Sequence, residues 1–74
     1  MIEELDTVVL TRDMPQQKLR AGDVGTVVLV HGGGVAFEVE FMTLGGRTIA
    51  VVQLPAEAVR KADDSEVSHA RRVA

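Results

Sequence analysis

Residues 24 to 41 read VGTVVLVHGGGVAFEVEF, two valine-rich runs on either side of three glycines. Consecutive β-branched residues and a glycine cluster both disfavour a helix and fit a β-hairpin. In the second run, Val35, Phe37, Val39 and Phe41 alternate with Ala36, Glu38, Glu40 and Met42. Successive side chains of a strand face opposite ways, so this spacing predicts a core face carrying the aromatics and a wet face carrying the glutamates. The glycines permit positive φ wherever the turn requires it. Gly25, inside the first run, predicts a bulge, a sharp bend or a close backbone approach.

The rest of the chain follows the same β pattern. Asp6 to Arg12 (DTVVLTR) predicts a first strand. DMPQQKLRAGD predicts a long polar loop broken by Pro15 and Gly22. Val24 to Val30 predicts a second strand, Val35 to Met42 a third, and Arg47 to Leu54 a fourth after the TLGG turn. PAEAV predicts one helical turn entered by Pro55, and Val59 to Lys61 a short last strand. The layout is all-β: a small five-stranded SH3-like barrel over residues 1–62, with one short helical turn before the last strand. Residues 63–74 are polar and unpatterned, which predicts a mobile tail; Asp63 and Glu66 have the spacing of a capping box.

Composition narrows the chemistry. At 74 residues the core is small, and such domains usually gain stability from disulfides, a metal or a second subunit. With no cysteine, disulfides and thiolate metal sites are excluded, and a reducing cytoplasmic setting is expected. Two histidines do not make a structural zinc site without carboxylates, so no metal and no cofactor is expected. The net charge of −3 weighs against nucleic acid. No run reaches the length that spans a membrane, and MIEELD lacks the character of a signal peptide.

Each reactive-looking group also has a plainer reading. Glu38 and Glu40 share a strand face and have the look of a catalytic pair, but a solvated face explains them. HGGG resembles a phosphate nest but lacks the Lys-Ser/Thr and helix of a P-loop. His31 fits an exposed turn position. Ser65, Ser68 and His69 lie in the tail, where nothing rigid orients a nucleophile. No catalytic residue is therefore expected.

DTVVLTRD, the LRAGDVGTVV run, FEVEF and GRTIAVVQLP together resemble a small bacterial family, domain-of-unknown-function family 4926, over Leu5 to about Arg60. That resemblance implies an SH3-like β fold and no established activity, with a loose association with toxin and antitoxin gene pairs. AGDVGTVVLV is similar to the KOW element of ribosomal and transcription proteins, which implies contact with RNA through Arg12, Lys18 and Arg20. VQLP is similar to the Val-Gln-Ile-Tyr signature of the plasmid-borne, tetrameric dihydrofolate reductase, with Val52, Gln53 and Leu54 in place but Pro55 where that family has tyrosine.

Proline-rich peptide recognition needs an aromatic groove, and Phe37 and Phe41 are the only aromatics. The second and fourth strands are apolar on both faces, which predicts a surface buried against another subunit. The expected function is a non-enzymatic protein-interaction module, an antitoxin or immunity-like member of a small gene pair, that self-associates and binds a protein partner. The expected contact face comprises Val27, Leu29, Ala50, Val52 and Leu54, with Met14, Lys18 and Arg20 of the long loop beside it.

Overall fold

A computed structural model describes residues 1–73. The elements run β1 (Thr7–Leu10), a 3₁₀ turn η1 (Pro15–Gln17), β2 (Val24–His31), β3 (Ala36–Met42), β4 (Thr48–Pro55), a 3₁₀ turn η2 (Ala56–Ala58) and β5 (Val59–Lys61). All five strands form one antiparallel sheet in the order β4-β3-β2-β1-β5. The all-β prediction, five strands with a helical turn before the last, holds.

β2 serves two neighbours. Val24 to Thr26 pair with β1, and Thr26 to His31 pair with β3. The β2–β3 register shifts between Val27 and Leu29, leaving Val28 as an extra residue. A bulge bends the strand and reverses its facing pattern. Val27 is fully buried before it, Val28 and Leu29 are exposed, and Val30 packs on the core after it. The apparent two-faced greasiness of β2 is this inversion.

β3 behaves as its alternation predicts. Phe37, Val39 and Phe41 are buried, while Glu38 and Glu40 are half-exposed. Val35 departs from the pattern: it is 67% exposed and belongs to the turn, where its N–H donates to the His31 carbonyl at 3.1 Å. Gly32, Gly33 and Gly34 all have positive φ, so the turn uses its glycines as such.

The core joins these residues to Val8 and Leu10 of β1, Leu54 of β4, Ala58 of η2, Val59 of β5 and Leu19 of the long loop. Each large side chain so buried contributes about 1.5–3 kcal/mol. The loop is more ordered than its composition predicts. Met14 and Leu19 exchange backbone hydrogen bonds of 2.9 and 3.1 Å around η1, and Asp13 accepts from the Ala21 N–H at 2.9 Å.

β4 and β5 are the two sheet edges and are not hydrogen-bonded to each other. The expected closed barrel is therefore, in its hydrogen bonding, an open sheet folded over one core. After Lys61 the chain forms no regular element through residue 73; residue 74 of the expected tail lies outside the described residues. Among the described residues no helix is long and apolar enough to cross a membrane.

Candidate functional site

The two edges are built differently. β5 is three residues long, and Arg60 and Lys61 on it are both exposed. Lys61 lies 3.7 Å from the Asp6 carboxylate, and Arg60 forms a two-point bond to Glu66 of the tail at 2.8 and 2.6 Å. Short length and charge are devices that keep an edge from adding further strands. β4 has neither. It runs eight residues, Thr48–Pro55, and carries no charged side chain. Beyond its ladder with β3, Thr48 to Leu54 make no backbone hydrogen bond among the described residues. Alternate N–H and C=O groups of an antiparallel edge strand point away from its one neighbour, so β4 presents an unfilled row of donors and acceptors.

The β4 register decides which side chains accompany that row. Ala50 pairs with Phe41, Val52 with Val39 and Leu54 with Phe37. Directly opposed residues point to the same face, so all three β4 residues turn inward. Leu54 is buried, but Ala50 and Val52 are only half-buried although the residues opposite them are fully covered. The inner layer thus thins toward the open edge. Val51, opposite Glu40, faces outward and is 56% exposed; Gln53, opposite Glu38, is exposed beside it.

The residues of the predicted contact face lie in different places. Val27 and Leu54 are core residues and offer no surface, because cross-strand pairing puts them on the aromatic side of the sheet. Ala50 and Val52 reach the surface only along the edge. Leu29 is 40% exposed on the outer face, brought there by the bulge. Met14 is half-buried against the core, while Lys18 and Arg20 are exposed on the loop. Val51, outside the predicted face, is the apolar β4 residue that faces outward. Its signal is its place opposite Glu40, which only the register reveals.

A second feature joins the loop to the tail. Arg71 donates Nε to Asp23 at 2.8 Å, makes a second short contact from Nη2 to the same carboxylate, and donates Nη2 to the Lys18 carbonyl at 3.0 Å. Burial disfavours the Asp23 charge, but the Arg71 hydrogen bond and the Arg20 N–H outweigh it and hold the carboxyl below its ordinary value. Asp23 in turn holds the Arg71 guanidinium above its own. A shallow depression of about 320 Å³ lies here, lined by Lys18, Leu19, Arg20, Arg71 and Arg72 among others.

The sheet glutamates have local partners. Glu38 contacts His31 Nε2 at 2.7 Å, and Glu40 accepts from the Thr48 hydroxyl at 2.8 Å. No group of three or more metal-ligating side chains gathers among the described residues.

The family model described as Domain of unknown function (DUF4926) matches residues 4–61 of the 74-residue chain. No curated protein and no solved structure matches it.

Proposed function

The chain belongs to the DUF4926 family, and from the geometry of its sheet we propose that it is a non-enzymatic protein-interaction module that accepts a strand of a second polypeptide along β4. The observation that carries this reading is the contrast of edges: eight uncharged residues unpaired on one side, three guarded residues on the other. Strand addition supplies affinity through main-chain bonds and selectivity through alternate side chains. Here Ala50 and Val52 offer the inner row and Val51 and Gln53 the outer one. An antitoxin or immunity-like role in a reducing compartment is the concrete form of the proposal. The test is coexpression with the product of the neighbouring gene, followed by native capture. A complex lost on Val51→Lys supports the reading. A complex indifferent to that change overturns it.

One observation favours a second reading, a KOW-like nucleic-acid module. Arg12, Lys18 and Arg20 of the loop lie on the same part of the molecule as Arg71 and Arg72 of the tail, which gathers five of the eight Lys and Arg residues of a net-acidic chain. A gel-shift titration with RNA and DNA at two salt concentrations tests it. Binding that falls steeply with salt, as counterion release requires, supports this reading over the first.

A further inference from the structure

We infer that the strand occupying the β4 edge is β4 of a second copy of this chain, joined antiparallel across a two-fold axis into one ten-stranded sheet. The inference rests on the strand-addition reading above and names its occupant.

Three observations select a second copy. The first is self-complementarity. A two-fold contact requires a patch that matches itself. Centred on Val51, antiparallel pairing sets Val51 against its own mate and Ala50 against Val52, and the regular pairing stops at Ile49, where the β3–β4 register shifts. No like charges meet, because Thr48–Pro55 carries none. The second is the thin inner layer. Ala50 and Val52 are half-buried where Phe41 and Val39 opposite them are covered. In the two-fold register the same two residues of the other copy continue that row, so the two cores become continuous. The third is charge placement. Glu38 and Glu40 sit one strand back from the edge. Across the junction Glu40 and its mate are separated by three inter-strand spacings, about 14 Å. That exceeds the Debye length of about 8 Å at physiological ionic strength, so the two acidic rows do not oppose the pairing. A 74-residue domain without disulfides also gains from the extra burial.

The chain has no native cysteine, so single-cysteine variants report cleanly. Sedimentation equilibrium of the full chain over a dilution series, paired with oxidation of the Val51→Cys variant, tests the assignment. The expected result is twice the chain mass at high concentration, the single-chain mass for Val51→Lys throughout, and an interchain disulfide in Val51→Cys. Opposed strand residues lie within disulfide reach, whereas Val28→Cys, on the bulge two strands away, forms none. Circular dichroism of Val51→Lys checks that this exposed position tolerates the change. A wild-type chain that is monomeric throughout overturns the second copy, as does a dimer that Val51→Lys leaves intact. A monomer whose captured complex is nevertheless lost on Val51→Lys overturns the self-pairing alone. Capture indifferent to Val51→Lys overturns the reading beneath it.

Discussion

Gly25 of β2 lies directly against Val39 of β3: a β-carbon built on Gly25 would stand 2.6 Å from Val39 Cγ1. The same atom would lie 2.9 Å from Phe41 Cε1 and 3.0 Å from the Glu40 carbonyl oxygen. Two of these neighbours are fully buried side chains and the third is ladder backbone, so none has space to retreat into. Overpacking of this kind costs about 1–3 kcal/mol. Gly25→Ala is therefore expected to lower stability by that amount in a urea titration, and Gly25→Val by more. An unchanged midpoint for Gly25→Ala would show that the β2–β3 contact is looser than its geometry implies.

Leu19 is 1% exposed although it belongs to no strand. The Met14–Leu19 backbone bridge turns its side chain into the core from above, and η1 fixes the approach. Leu19→Ala is expected to cost about 2–5 kcal/mol, the range for a buried leucine that leaves a cavity. The loss should match that of Leu54→Ala, a strand residue of equal burial, in the same denaturant series. A loop that merely lies on the surface would cost far less.

These two residues mark where the sequence is legible and where it is not. Strand 3 is readable because its alternation is strict, and the glycine cluster locates the hairpin turn. The close approach at Gly25 is among the readings a glycine within a strand permits. The loop is opaque because its order depends on Leu19 finding a cavity made by residues distant in sequence. β4 is opaque for another reason. Its residues are apolar on both faces, so the spacing alone leaves open which face looks inward. Only the pairing of Ala50 with Phe41 and Val52 with Val39 resolves that, and it moves the exposed apolar position to Val51. The half-inverted facing of β2 follows from a bulge at Val28 that no glycine or proline announces.

The Asp63–Glu66 pair has capping-box bonds without a helix to cap. The Asp63 N–H donates to Glu66 Oε1 at 2.7 Å, and the Ser65 N–H donates to Asp63 Oδ1 at 2.9 Å. The Arg60 hydrogen bond, helped by the Asp63 N–H, pulls the Glu66 carboxyl from its ordinary 4.5 down to about 2. A carboxyl depressed on folding stabilises the folded form above its unfolded value and ceases to do so as pH falls through the folded one. The turn that holds the tail to β5 is thus expected to be intact at neutral pH and to weaken from about pH 4.5 to about pH 2. The Glu66 carboxyl carbon, followed by NMR against pH, should titrate near the lower value. In Arg60→Ala it should move up toward the ordinary one. Titration near 4.5 in the unaltered chain would mean that the Arg60 contact is not held in solution.

Lys18 holds φ 62°, the left-handed region that a side chain enters at a cost, and it does so where η1 ends. Its carbonyl is also the acceptor for Arg71 Nη2 at 3.0 Å. Glycine adopts this conformation freely and keeps the carbonyl, so Lys18→Gly relieves the strain while leaving the clamp in place. The gain is partly offset by the freedom glycine adds to the unfolded chain, which leaves Lys18→Gly within about 1 kcal/mol of the parent and on the stabilising side. Arg71→Ala separates the two elements instead. It removes both bonds to Asp23 and the bond to Lys18, so residues 67–73 are expected to gain fast backbone motion while β1 to β5 do not. Asp23 should then titrate higher, since Arg71 helps hold it down. A urea titration of Lys18→Gly and backbone NMR relaxation of Arg71→Ala check the two outcomes. A tail as rigid in Arg71→Ala as in the parent would assign the docking to contacts other than this guanidinium.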